Sequence, residues 1–250
     1  MTTNRWVAAA ALAIATTLPA FALEQDVGAL LKAADRYRVA SQNTRVDTQV
    51  SVLNADGSVD KERLYTVFAQ TNHQSLVLMQ SPAEKGQKVL MSGDDFWLVL
   101  PGSQRPLRIT PMQKLLGDAS TADIAAMSWA DDYTGTVAAE ERCGEPARDC
   151  LHLTLQATRK AVTYQRIELW IGKARREPVK AELYVQSDKL AKRAQFVLDG
   201  ANPNIVSAML LQDQIANHKQ TQVRYLDRKP HTVPETWLNP MYLVRNTSLE

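Results

Sequence analysis

The chain has 250 residues, 45% of them hydrophobic and 22% charged, with a formal net charge of +2. Its basic residues are dispersed, and so small an excess gives no electrostatic footprint for nucleic acid. Outside the N-terminal stretch there is no linker, low-complexity tract or internal repeat, so one domain is expected, of a length that all-β sandwiches and barrels reach as a single unit.

In chain order, Arg5 precedes an apolar run over residues 6–15, and Ala20 and Ala22 form a small-x-small pattern before Leu23. The run is well short of the roughly 20 residues that cross a bilayer. A secretory signal over residues 1–22, cleaved after Ala22, is therefore predicted, with one domain over residues 23–250 released into the periplasm. Losing Arg5 takes the formal charge from +2 to +1.

Val27, Leu30, Leu31, Ala34 and Tyr37 recur at three- and four-residue steps, which predicts an amphipathic helix ending near Arg38. Alternation then takes over. Val46, Val50 and Val52 alternate with polar residues up to a turn at residues 54–57. Strands follow over 60–71, 75–80, 87–91, 96–100 and 105–109, with connections too short for crossover helices, so the sheet is antiparallel. Residues 76–79 and 96–100 are apolar at every position and need cover on both faces, the second expected from the N-terminal helix. Residues 111–116 and 121–129 lose the period of two and read as two short helices, a lid hinged at residues 117–120 with Met112, Leu115, Leu116, Ile124 and Met127 turned inward.

Strands resume over 135–142, 150–158, 163–171, 179–187, 191–198, 205–213 and 221–225. Cys143 and Cys150, the only cysteines, bracket a run of turn formers and read as a disulfide across a hairpin in an oxidising compartment. The fold class is mainly β: a large curled antiparallel sheet forming an incomplete barrel, with an N-terminal helix and a short helical lid. Phe68, Leu76, Leu78, Phe96, Leu98, Leu100, Leu153, Leu169 and Leu183 are the candidate lining of its cavity.

Catalytic and metal signatures are missing from the sequence. His73, His152, His218 and His231 lie far apart without metal-ligand spacing, and no nucleophile elbow, phosphate loop or dinucleotide fingerprint occurs. The acidic pairs Asp94-Asp95 and Asp131-Asp132 point apart and read as turn caps. No enzyme activity, metal or cofactor is expected.

The segments Gly86-Gln87-Lys88-Val89-Leu90-Met91-Ser92-Gly93-Asp94-Asp95-Phe96-Trp97-Leu98-Val99-Leu100-Pro101 and Arg105-Pro106-Leu107-Arg108-Ile109-Thr110-Pro111 resemble the Gly-Asp-x-x-Trp-Leu-x-x-Pro strand and the basic strand of the LolA-like outer-membrane lipoprotein-sorting proteins. Ala33-Ala34-Asp35-Arg36-Tyr37-Arg38 and the ending Val233-Pro234-Glu235-Thr236-Trp237-Leu238-Asn239-Pro240-Met241-Tyr242-Leu243 fit the same family. The resemblance implies a lidded apolar cavity carrying a lipid, acyl chain or lipidated protein through the periplasm toward the outer membrane. It is closer to the broad branch of the family than to the lipoprotein carrier that typifies it. In that carrier an arginine on an early strand ties the lid shut; Arg45 and Arg63 are the candidates here, and neither has matching neighbours. Members of the branch are often encoded beside RND-type exporters, which implies such an exporter as a partner and a non-carrier accessory role as the rival reading.

Overall fold

The structure, a computed structural model, describes residues 26–38, 43–125, 128–160, 162–214, 220–246 and 248–249. The cleavage site at Ala22 and the lid residue Met127 lie outside the described residues. Helix α1 (Val27–Asp35) starts where Asp26 accepts the Ala29 N–H at 3.2 Å, a side-chain cap for an otherwise orphan donor. Its apolar stripe buries Leu30, Leu31 and Ala34.

Six strands follow: β1 (Thr44–Leu53), β2 (Val59–Gln70), β3 (Gln74–Met79), β4 (Lys88–Ser92), β5 (Asp95–Val99) and β6 (Leu107–Ile109). After a short pair, β7 (Lys114–Leu116) and β8 (Ala119–Ser120), and helix α2 (Thr121–Ala125), the chain returns to long strands. These are β9 (Tyr133–Cys143), β10 (Arg148–Ala157), β11 (Arg166–Gly172), β12 (Pro178–Tyr184), β13 (Leu190–Leu198), β14 (Val206–Asp213) and β15 (Gln220–Pro230). A 3-10 helix (Glu235–Leu238) and helix α3 (Pro240–Arg245) complete the described chain.

Thirteen strands make one antiparallel sheet in the order β6-β5-β4-β3-β2-β1-β15-β14-β13-β12-β11-β10-β9. It curls but does not close, so β6 and β9 remain edges. The register decides which face each residue occupies. Val46, Val67, Val77, Val89 and Leu98 stand opposite one another across β1 to β5 and face the concave interior. Leu151, Leu153, Leu155, Ile167, Leu169 and Ile171 supply the same face at the other end of the sheet. Helix α1 packs into this interior cluster.

Two expectations need correction. Residues 111–116 hold no helix: Lys114–Leu116 is a strand paired with Ala119–Ser120. Met112, Leu115 and Leu116 span barely one helical turn, too little for a nucleus, and Gly117 turns the chain at φ +55. A Cβ at that position would collide with Thr221 and Val52. The second correction concerns the outer face of β2 to β5. Phe68, Leu76, Leu90 and Val99 are covered there by Val233, Trp237, Leu238 and Leu243 of the C-terminal segment, with α1 on the opposite side of the sheet. Phe68 meets Trp237 edge-on, with ring centroids 5.8 Å apart.

Candidate functional site

A small pocket of about 80 Å³ opens between the concave face and the segment that follows β8. Met91, Phe96, Ile167, Leu183, Ala194, Phe196 and Met209 form its apolar wall. Each points inward because it occupies the inward parity of its strand. Ala122, Asp123, Ser128 and Trp129 close it from the lid side, and Arg38, Asp132 and Arg159 stand at its polar rim.

The structure sorts the sequence-predicted residues into distinct places. Phe96 and Leu183 line this pocket. Leu98, Leu153 and Leu169 belong to the same interior cluster but do not line this pocket. Phe68, Leu76 and Leu78 are on the outer face under the C-terminal segment, a correction to the interior reading: every position in 76–79 is apolar, so only the pairing register fixes which parity faces in. Leu100 lies past the end of β5 and joins neither cluster. Of the lid residues, Ile124 is buried in the interior, and Met112, Leu115 and Leu116 pack against it half-buried.

Three polar ties hold the segment that follows β6, the expected lid. Lys192 on β13 reaches Asp123 of α2 at 2.5 Å, with both side chains only 2% exposed. The other contacts satisfy Asp123: it accepts the Tyr164 hydroxyl at 2.7 Å and the Ser120 N–H and hydroxyl at 2.7 Å each. Buried charges persist only when paired and hydrogen-bonded in this way. The second tie is at the β7–β8 turn. There Thr221 Oγ1 accepts the Asp118 N–H at 2.8 Å, Asp118 accepts the Asp213 N–H at 3.2 Å, and Lys114 donates to Asp213 at 2.9 Å. Burial raises the Asp118 carboxyl above its ordinary value, and the neighbouring Asp213 carboxylate pushes the same way.

At the third tie, Asp35 at the end of α1 accepts the N–H groups of Trp129 at 2.8 Å and Ala130 at 2.9 Å. Burial raises the Asp35 carboxyl too, opposed by Arg38 and these two donors. The candidate lid arginines do neither job. Arg45 pairs with Asp47 on its own strand, and Arg63 with Glu84 in the turn between β3 and β4. The cation that reaches this segment from the sheet interior is Lys192, through Asp123. Its sequence signal was legible: a lysine sharing the parity of Ala194 and Phe196, both inward, requires an interior partner.

Cys143 and Cys150 are disulfide-bonded at the β9–β10 hairpin, with Cα atoms 5.9 Å apart. They pack against Trp170 and Val179 on the outer face, away from the pocket. Among the described residues, no three His, Cys, Asp or Glu side chains converge to hold a metal. Nor is any helix there long and apolar enough to cross a membrane.

An open antiparallel sheet curled around an apolar interior, with an inserted lid, is the architecture of the LolA superfamily. A LolA superfamily protein from Nitrosomonas europaea superposes with a TM-score of 0.76 at 26% identity, over 86% of this chain and 97% of that one. A putative outer membrane lipoprotein-sorting protein domain from Vibrio parahaemolyticus gives 0.65 at 20% identity, over 86% and 98%. A DUF1329 family protein from Desulfovibrio piger gives 0.68 at 21%, over 87% and 99%; the latter two show the shared fold. A family model described as "-like: Uncharacterized protein" matches residues 71–245, and no curated protein sequence matches the chain. The chain belongs to the family of that model, and its fold is that of the LolA superfamily.

Proposed function

We propose that the protein is an exported periplasmic carrier, freed of its leader after Ala22 and folded as one domain over 23–250. It takes a lipid, an acyl chain or a lipidated protein into the apolar pocket and delivers it toward the outer membrane. The observation that carries this reading is the pocket itself: an apolar wall of Phe96, Ile167, Leu183, Phe196 and Met209 beneath a lid secured by a few polar ties. Each methylene moved from water to such a wall contributes about 0.8 kcal/mol, so one acyl chain gives useful affinity without any reactive group.

Release of the lid separates Asp123 from Lys192 and frees Met112, Leu115, Leu116 and Ile124 to follow the cargo. Leu98, Leu153 and Leu169 then become additional wall. Native mass spectrometry of the protein purified from periplasm should find an adduct of lipid mass. Absence of an adduct, together with no uptake of a fluorescent acyl probe, would end the carrier reading.

A further inference from the structure

Most polar groups of the interior are mutually satisfied. Asp123 neutralises Lys192, and Arg159 donates twice to Asp132, at 3.0 Å and 2.7 Å. The corner where α1 meets β15 is different. Arg228 continues the inward row of Val46, Val67, Val77, Val89 and Leu98, so a guanidinium ends a line of aliphatic side chains. Its hydrogen bonds go only to carbonyl oxygens: Val206 at 2.6 Å and Tyr37 at 3.4 Å. Among the described residues no carboxylate answers it, and its Nε has no hydrogen-bond partner. Burial lowers its pKa, opposed by Tyr225 and reinforced by the neighbouring Arg38.

Arg38 is the group that faces the pocket. It is 6% exposed, stacks over Trp129 at 3.8 Å, and leaves its own Nε without a partner. Its sole carboxylate, Asp35, is 3.4 Å away and shared with two backbone N–H groups and Ser128, and burial favours its neutral form. Arg38, at the edge of the apolar cavity, thus has one divided carboxylate, and its neighbour Arg228, which stacks over Tyr225 at 4.5 Å, has none among the described residues. A buried cation without a counter-charge is costly, and an incoming anion that pairs with it removes that cost.

We infer that the cargo pocket takes an amphiphile with an anionic head, a carboxylate or phosphate held at Arg38 and Arg228, and its acyl tail against Phe96, Leu183, Phe196 and Met209. The inference rests on the carrier reading and adds a charge requirement to it. Trp129 and Phe196 place the head and the first methylenes side by side: Arg38 lies over one ring, and the other meets that ring edge-on with centroids 5.5 Å apart.

The test compares palmitate, methyl palmitate and inorganic phosphate by isothermal titration to the full mature protein. Palmitate should bind about 10- to 100-fold more tightly than its ester, the worth of a charge-assisted hydrogen bond, and phosphate alone should not compete. In R228Q and R38Q the palmitate affinity should fall toward that of the ester. Equal affinity for acid and ester in the wild type would overturn the headgroup site while leaving the carrier reading intact, and needs no variant to fold. Binding of neither would overturn both. Competition by phosphate at palmitate's own concentration would place a free anion, rather than an amphiphile, at the two arginines and so refute the inference.

Discussion

The two ends of the sheet solve different burial problems. Across β9 to β13 the alternation is clean. Leucines and isoleucines face in, while the outer face carries His152 stacked on Trp170 at 4.1 Å, Lys180 over the same ring, and the charged set Arg166, Glu168, Glu182 and Arg193. Across β2 to β5 both faces are apolar, and the outer one is sealed by the C-terminal segment. A strand that is apolar on both sides is stable only when something covers each side. The first half therefore depends on a distant piece of chain, and the second on solvent and a covalent staple at its edge hairpin. Only the inner face, common to both halves, meets the pocket.

The sharpest way to break this division acts on the inner face. Lys192→Met leaves Asp123 buried without its cation and should cost about 3–5 kcal/mol in urea denaturation. Adding Asp123→Leu should recover most of that loss, because two apolar side chains can replace a buried ion pair. A double variant as unstable as the single one would mean that the pair is not coupled.

On the outer face, Leu243→Ala should cost about 3 kcal/mol through the cavity it leaves against Phe68, Leu76, Leu90 and Val99. Acyl-probe affinity of the folded variant should stay at the wild-type value. A weakened probe would show that the C-terminal cover also shapes the pocket. Reducing Cys143–Cys150 frees an eight-residue ring and should lower stability by about 2.5 kcal/mol, seen as a lower melting temperature with probe binding retained.

The smallest effect concerns pH. The folded Asp118 carboxyl sits above its ordinary value, so the native state holds that proton more tightly than the unfolded chain. Its contribution is thus greatest on the acid side and is lost as pH rises from about 4 through the raised value. Asp118→Asn removes this slope. Between pH 4 and 7 the stability difference, variant minus wild type, should grow by about 1 kcal/mol or less. A difference that is flat or falling over that range would contradict the raised value.

Alternation made most of the second half legible in the sequence, since Leu151, Leu153 and Leu155 leave no choice of inner face. The same reasoning places Phe96 and Leu98 together, as the structure does, on the concave side. It could not place Phe68, Leu76 and Leu78, because residues 76–79 offer two equally apolar faces and the deciding contacts, Phe68 to Leu76 and Leu90 to Trp97, are cross-strand pairs. The polar corner was still less accessible. Arg38 and Arg228 are 190 positions apart, and only the return of β15 beside β1 brings the second to the turn after α1 that bears the first. Wall residues such as Phe196 and Met209 carried a signal in their strand parity, but one shared with every other inward residue of those strands.

In a closed barrel, strand number and shear together fix the girth, and every ladder bond resists a change of radius. Here the ring of ladder bonds is broken between β6 and β9, and side-chain pairs, Arg159 with Asp94 and His73 with Asp132, join the two halves instead. Its two lips can part or draw together by a change of twist along the intervening strands, and no ladder hydrogen bond has to break for the bore to widen. For the cargo proposed above, a slender tail would let the staves settle inward and a bulkier one would spread them once those side-chain pairs part.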